Sequence, residues 1–177
     1  MLFWGRAPSA PDATLWVSDG TPTGTTELLP QAAPLNFARC GDAVYFSAGY
    51  SPRLLYRTQG TPETTVPVPL PDGVLTPSLF GRQACAGSRF LFAGEDEEHG
   101  AELWAASESG ASLLADIAPG AASSLALDIV VFWSGAGKFL ATLGDQVIFL
   151  ADDGVHGTEP WISDGTSEGT HLVLETN

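Results

Sequence analysis

Basic residues are scarce in this chain of 177 residues. Seven Lys and Arg stand against 21 Asp and Glu, which gives a formal net charge of −14. Nucleic-acid phosphates and anionic membrane surfaces both attract clustered Lys and Arg. We therefore expect neither as a partner, while a cationic partner, a metal ion or plain solubility remain alternative reasons for the acidity.

Long apolar runs are also missing. No stretch reaches the roughly 18 apolar residues that a membrane-spanning helix needs, and the most apolar segment, 125–133, is too short and contains Asp128. The residues from Met1 to Arg6 lack the basic segment and apolar core of a signal peptide. The residues thus predict no membrane insertion and leave the compartment open.

Cysteine is limited to Cys40 and Cys85. Two residues are too few for a disulfide framework, and their separation is not that of a metal site. A disulfide between them is one alternative. Buried free thiols are the default expectation, because free cysteine behaves as a small apolar residue.

The composition that remains favours β-structure. Hydrophobic residues make up 44% of the chain and charged residues only 16%, with 20 Gly and 13 Pro. A charged fraction of roughly 25% is usual for soluble domains. Many turn-forming residues among apolar segments are typical of short strands joined by tight turns, so we predict an all-β protein.

Two motifs alternate four times along the chain. An aromatic-rich run precedes each anchor, as in Tyr45–Ala48 or Phe90–Ala93, and the anchors are spaced by 40, 48 and 57 residues. Such spacings straddle the ~40–50 residues of a four-stranded propeller blade. The four anchoring aromatic residues are Trp16, Tyr56, Trp104 and Trp161.

These motifs predict one repeat domain with repeats at about 1–33, 34–72, 73–118 and 119–177. Each repeat is predicted to contain an inner strand, the aromatic strand, the anchor strand and an outer strand. The first repeat begins inside its aromatic strand, so we expect it to lack the inner strand. An open sheet edge invites pairing with another chain. We therefore expect tandem β-propeller-type blades, with the incomplete array completed by another chain as one alternative.

The segment Ser-Asp-Gly-Thr follows the first and last anchors. Asp19-Gly20 and Asp164-Gly165 are predicted turn-formers, because Asp bonds the backbone ahead of it and Gly adopts the left-handed conformation. In the second repeat Gln59 stands in place of this Asp, and Thr64 stands in place of the later Gly. The third repeat lacks the Asp-Gly-Thr turn.

These residues resemble the bacterial ELWxxDGT-repeat proteins. His99-Gly-Ala-Glu-Leu-Trp104 and His156-Gly-Thr-Glu-Pro-Trp161 are similar to the first half of that repeat, and Ser-Asp-Gly-Thr is similar to the second. The resemblance covers nearly the whole chain and carries no catalytic residues. It implies a β-propeller-like array in an exported or cell-surface protein.

Catalytic chemistry finds little support in the motifs. His99 and His156 recur at equivalent places, so we interpret them as serving the repeat by bonding a turn, against general acid–base catalysis as the alternative. Neither a Gly-x-Ser-x-Gly elbow nor a Gly-rich phosphate loop occurs. We expect no enzyme activity and no cofactor.

Acidic residues recur just after two aromatic strands, in Glu95–Glu98 and Asp152-Asp153. Calcium prefers several oxygen ligands, which makes Asp96, Asp152 and Asp153 candidate metal ligands. A solvated turn is the alternative and the favoured one, because no complete calcium loop is present.

The predicted function is that of a non-catalytic binding or scaffold module, acting through protein–protein association, self-association or edge-strand pairing. Phe132 and Trp133, in the irregular segment after the third repeat, are the candidate partner contacts. A carbohydrate-binding module that uses exposed aromatic residues, with or without calcium, is the alternative. An enzyme with a site in a central channel is a third reading.

Overall fold

The computed structural model describes residues 1–6, 12–50, 53–75, 83–125 and 140–175. Within these ranges the regular structure is β-strand, apart from one 3-10 turn at Pro62–Thr64. The strands form four antiparallel sheets, which confirms the all-β prediction. The chain divides into two compact units, Met1–Val68 and Pro69–Asn177, here called the first and second unit.

The first unit contains two sheets whose strands follow one another in chain order. Sheet 1 has three strands: β1 (Leu2–Gly5), β2 (Thr14–Ser18) and β3 (Thr25–Leu29). Sheet 2 has four: β4 (Leu35–Cys40), β5 (Ala43–Ala48), β6 (Leu54–Thr58) and β7 (Val66–Pro67). The inner strand expected to be missing from the first repeat is absent from sheet 1 within the described residues.

The second unit contains two four-stranded sheets, again in chain order. Sheet 3 consists of β8 (Gln83–Ala86), β9 (Arg89–Asp96), β10 (Gly100–Ser107) and β11 (Gly110–Ala115). Sheet 4 consists of β12 (Leu140–Leu143), β13 (Gln146–Asp152), β14 (Thr158–Ser163) and β15 (His171–Leu172). Each sheet falls within one predicted repeat, and the repeat boundaries themselves stay predictions.

The strand register repeats in all four sheets. Each anchor lies directly opposite a phenylalanine of the preceding strand, and the pairs are Phe3–Trp16, Phe46–Tyr56, Phe92–Trp104 and Phe149–Trp161. Because side chains alternate between the two faces of a strand, each pair shares one face. We call it the aromatic face of the sheet and the opposite side the aliphatic face.

One packing pattern builds the core of both units. In the first unit, Leu15 on the aliphatic face of sheet 1 clusters with Phe46 and Ala48 on the aromatic face of sheet 2. In the second unit, Leu91 on the aliphatic face of sheet 3 clusters with Phe149 on the aromatic face of sheet 4. In each unit, the aromatic face of the later sheet therefore packs on the aliphatic face of the earlier one.

The segment that follows β11 joins the second core. Ile117 and Leu125 belong to the buried cluster between sheets 3 and 4, and Ala118 is buried as well. The start of the apolar run 125–133 thus packs in a core, while the remainder of that run lies outside the described residues. No helix in the described ranges has the length and apolarity to cross a membrane.

The expectation of free thiols is wrong, because Cys40 and Cys85 are both disulfide-bonded. A count of two cysteines excludes a framework of several bridges, but it does not exclude a single bridge. Disulfide formation depends on the three-dimensional positions of cysteine Cβ atoms, which spacing along the sequence does not report.

Candidate functional site: the open edge of the first sheet

The outer edge of β1 has no strand beside it in the described part of the chain. β1 pairs with β2 alone, whereas the aromatic strands of the other three sheets each lie between two neighbours. β4, β8 and β12 take the inner position in those sheets. The edge of β1 therefore presents backbone groups to which another strand can bond.

Backbone pairing shows which residues face outward. Ser18 N–H donates to Met1 O at 2.8 Å, so this pair is hydrogen-bonded across β1 and β2. Hydrogen-bonded and non-bonded pairs alternate along an antiparallel ladder. The N–H and C=O groups of Leu2 and Trp4 consequently point away from β2, toward the open edge.

An apolar groove of about 570 Å³ lies beside this edge. Its lining residues come from β1 and from the inner half of sheet 2, and they are Leu2, Phe3, Trp4, Phe37, Arg39 and Val44. Trp4 is 57% exposed and Phe37 is 38% exposed. Small-molecule sites occupy roughly 300–1,000 Å³, so the groove has room for several side chains of a partner.

A β-bulge in β4 directs Phe37 into the groove. The register of β4 against β5 shifts between Leu35 and Ala38, and Asn36 there has a φ of 58°. Asn36 Nδ2 donates to Ser47 Oγ at 3.2 Å, which holds the bulge. Bulges re-aim neighbouring side chains. Phe37 accordingly stacks on the buried Phe46, with ring centroids 5.5 Å apart, and reaches solvent beyond it.

The contact residues predicted from the sequence, Phe132 and Trp133, lie outside the described residues and stay a prediction. Sequence reasoning missed the groove residues Trp4 and Phe37. A signal for Trp4 was present, because a tryptophan in an aromatic strand without an inner neighbour must lie at a sheet edge. Phe37 had no such signal, since its orientation depends on the bulge.

The two Asp-Gly-Thr turns are built alike. Asp19 Oδ1 accepts from Thr21 N–H and from Thr21 Oγ1, both at 2.8 Å. Asp164 does the same with Thr166 at 2.8 and 2.7 Å. The Thr21 backbone bond holds the pKa of Asp19 below its usual value, and the Thr166 hydroxyl does so for the pKa of Asp164.

Glycine in the left-handed region completes both turns. Gly20 has a φ of 100° and Gly165 a φ of 86°. This is a region that side chains with a Cβ atom rarely adopt. The predicted turn chemistry of Asp19-Gly20 and Asp164-Gly165 is therefore what the structure contains.

The turn of the second repeat differs from the Asp-Gly-Thr turns at two positions, Gln59 and Thr64, and the structure shows why the two differences occur together. A Cβ atom on Gly24 would lie 2.1 Å from the Asp19 carboxylate, so Asp in the first position requires Gly in the second. In the second repeat the carboxylate is gone, and Thr64 Oγ1 accepts the N–H groups of Gln59 and Thr61 at 3.2 Å each. One hydroxyl thus replaces the missing carboxylate.

The two repeated histidines bond within their own turns. His99 Nδ1 lies 3.0 Å from Asp96 Oδ2, and His156 Nδ1 lies 2.7 Å from Asp153 Oδ2. These side-chain hydrogen bonds raise the pKa of both histidines. The pKa of Asp153 falls to about 2, chiefly because its carboxylate accepts the backbone N–H of His156. Each pair closes the hairpin between an aromatic strand and its anchor strand.

The candidate metal ligands also bond their own turns. Asp96, Asp152 and Asp153 accept the backbone N–H groups of Glu98, Gly154 and Val155, at 2.8–3.0 Å. Across the described ranges, no group of three or more His, Cys, Asp or Glu side chains is placed to hold a metal ion. Calcium binding at these positions stays untested.

Sequence reasoning missed a buried carboxyl group in sheet 3. Glu102 is fully buried. Its Oε1 accepts from Ala118 N–H and Ser124 N–H at 3.0 and 3.2 Å, and its Oε2 accepts from Ile117 N–H and Ser124 Oγ at 3.1 and 2.5 Å. Burial raises the pKa of this carboxyl group, and the hydrogen bonds oppose that rise. A glutamate within an otherwise apolar strand was the available signal.

Comparisons with known proteins add no assignment. No protein-family model matches the chain, and no curated protein matches it. The resemblance to ELWxxDGT-repeat proteins therefore depends on the motif residues alone.

Proposed function

We propose that this chain is a non-catalytic binding and scaffold module of β-propeller type, which works through association with protein at the open edge of β1. The observation that carries the proposal is that an edge of β1 without a neighbouring strand, within the described residues, lies beside an exposed apolar groove. Such an edge with an adjacent groove is the arrangement that β-strand addition uses.

The blade interpretation is supported by repetition. The same aromatic pair recurs in four sheets, and the same face-to-face packing recurs in both units. The ELWxxDGT resemblance adds the expectation of an exported or cell-surface protein. Each sheet then corresponds to one blade, and the blade of sheet 1 has three strands within the described residues.

The binding mechanism follows from the geometry of β1. An added strand would bond the outward N–H and C=O groups of Leu2 and Trp4, and every second side chain would enter the groove. β1 contains only four residues, so the backbone supplies few bonds. Burial of Trp4 and Phe37 must supply much of the affinity, at roughly 1.5–3 kcal/mol for each large side chain fully buried.

A non-catalytic role is supported by what the titratable side chains bond. His99 and His156 pair with carboxylates of their own turns, and Glu102 binds backbone amides of a loop. A general acid or base needs to reach a substrate proton. These groups instead stabilise the sheets.

Self-association tests the proposal directly. Sedimentation velocity over a wide concentration range should show the wild-type chain of 18.5 kDa forming larger species as concentration rises. Trp4→Ala removes the groove side chain, whereas Trp4→Pro also removes an outward N–H while leaving the ladder to β2 intact. We expect Trp4→Pro to weaken association clearly more than Trp4→Ala. A wild-type chain that stays monomeric, or equal weakening by the two variants, would overturn the proposal.

A carbohydrate is the alternative ligand of the groove, and the exposure of Trp4 favours it. An amphipathic indole that is 57% exposed can stack on the apolar face of a sugar. A glycan array read with and without a chelator separates this alternative, and its calcium-assisted form, from strand addition. Binding of a sugar that Trp4→Ala abolishes would favour the carbohydrate-binding module.

A further inference from the structure

The aromatic face of sheet 1 is exposed where its counterparts are buried. Phe46, Phe92 and Phe149, which pair with the later anchors, are at most 2% exposed. Phe3 occupies the same register position and is 36% exposed. A recess of about 490 Å³, lined in part by Gly5 and Trp16, lies on this face.

The aliphatic face of sheet 4 is exposed in the same way. Leu91 and Ala93 of sheet 3 are 0% and 2% exposed. Their register equivalents in sheet 4, Ile148 and Leu150, are 36% and 49% exposed. The aliphatic face is thus buried in sheet 3 and exposed in sheet 4.

The turns show the same asymmetry. The turn of a later sheet lies over the earlier sheet of its unit: a Cβ on Gly165 would meet Arg89 Cδ at 2.8 Å, and one on Gly60 would lie 4.0 Å from Val17. A Cβ on the equivalent Gly20 of sheet 1 would have nothing within 4 Å. The Asp-Gly-Thr turn of sheet 1 therefore has open space where the turns of sheets 2 and 4 have a neighbour.

The two open faces are the two halves of an interface that the chain builds within each unit. There, an aromatic face packs on an aliphatic face. We infer that a second copy of this chain packs the aliphatic face of its sheet 4 against the aromatic face of sheet 1. The occupant is a second copy because the chain itself carries the complement, with the residue types that already pack together in its own cores.

Such a contact is heterologous, since different surfaces of the two copies meet. Heterologous contacts generate closed rings or open chains of subunits, according to the rotation between copies. The contact uses the sheet faces that carry Phe3 and Leu150, whereas edge pairing uses the outward backbone groups of Leu2 and Trp4 and the groove beside them. This inference therefore goes beyond the proposed edge pairing and does not depend on it.

Complementary variants test the inference. Gly5→Glu places a charge on the aromatic face of sheet 1, where a Cβ meets nothing within 4 Å, and Leu150→Glu places one on the aliphatic face of sheet 4. Both positions are open, so the fold should persist, which circular dichroism checks. All proteins carry Trp4→Pro, which weakens edge pairing.

We expect the Trp4→Pro protein to associate with rising concentration, and either added glutamate to abolish that association. An equimolar mixture of the two glutamate variants should form a 1:1 heterodimer, because one intact pair of faces remains. Val155→Glu, which changes an apolar side chain 80% exposed in the β13–β14 turn, should associate like its parent.

Two results would overturn the inference: a Trp4→Pro protein that is monomeric at every concentration, or a mixture of the two glutamate variants without heterodimer. In either case, stronger weakening of association by Trp4→Pro than by Trp4→Ala would still support edge pairing. The two proposals therefore fail separately.

Discussion

The first and second units hold the segment after an outer strand in different ways. In sheet 3, Glu102 precedes Leu-Trp and binds four donors of that segment. In sheet 1, Thr14 has the same place before Leu-Trp, and its hydroxyl accepts only Gln31 N–H at 3.3 Å. The next two amides, of Ala32 and Ala33, instead donate to Ala13 O at 2.9 and 3.1 Å.

This difference shows that the same sheet architecture can hold the segment after its outer strand in two ways, which differ in backbone strain. A carboxylate has enough acceptor sites for several amides and lets the segment run without strain. The Thr14 solution folds the segment tightly, and Gln31 and Ala33 adopt φ values of 49° and 41°. Non-glycine residues in this region cost of order 1–3 kcal/mol each.

Alanine substitution of Glu102 and of Thr14 should produce the largest difference in stability loss between the two units. Glu102→Ala leaves buried donors of Ile117, Ala118 and Ser124 unsatisfied, so we expect a loss of about 3–5 kcal/mol in the free energy of unfolding. Thr14→Ala removes one hydrogen bond and should cost about 1 kcal/mol. Urea denaturation measures both. Equal losses would contradict the role assigned to Glu102.

Glycine substitution should give the second largest difference. Gly94 and Gly5 are register equivalents, but a Cβ on Gly94 would lie 2.6 Å from the Trp104 ring, while one on Gly5 would meet nothing within 4 Å. We expect Gly94→Ala to destabilise the protein by about 1–3 kcal/mol through overpacking. Gly5→Ala should be nearly neutral. The melting temperatures of the two variants measure this difference. A Gly94→Ala variant as stable as the wild type would contradict the tight packing of Gly94 against Trp104.

The pH dependence of stability near neutral pH should show the smallest difference, and it should arise in the second unit, which contains all three histidines. The pKa values of His99 and His156 are raised in the folded state. Their stabilisation is therefore complete below the unfolded pKa of about 6.5 and is lost as pH rises through the folded values. Asp153 contributes in the opposite sense: its stabilisation is present above about 3.9 and is lost as pH falls toward its pKa of about 2.

Two measurements check this prediction. NMR titration should place the midpoints of His99 and His156 above about 6.5. The double variant His99→Asn/His156→Asn should lose less melting temperature than the wild type between mildly acidic and mildly basic pH. Glu102 is present in both proteins, so its own titration cancels. An unchanged slope would show that the two His–Asp pairs do not stabilise the fold.

Features that depend on neighbouring residues were predictable. The alternation of apolar residues indicated the aromatic and anchor strands, because strand side chains alternate with a period of two. Asp19-Gly20 and Asp164-Gly165 indicated turns, because the bonds in question join residues two positions apart. Sheet 1 contains three strands within the described residues, as the repeat pattern led us to expect.

Features that depend on distant residues were not predictable. The burial of Glu102 and the groove at Phe37 each require segments far apart in the chain to meet. The disulfide-bonded state of both cysteines is likewise a tertiary property. The paired departure of Gln59 and Thr64 was visible as a mismatch with the motif. Its cause, the clash between a carboxylate and a Cβ atom, appeared only with coordinates.

Residue order alone determined that this protein is all-β and that its aromatic anchors recur in equivalent strands. Periodicity and turn chemistry act over a few residues, which is why these properties can be read from the chain. Tertiary structure decided which equivalent residues are covered: Phe3 and Leu150 are open, whereas Phe92 and Ala93 are buried. Whether a residue is buried depends on which sheet packs against it, and a repeat motif carries no information about that sheet.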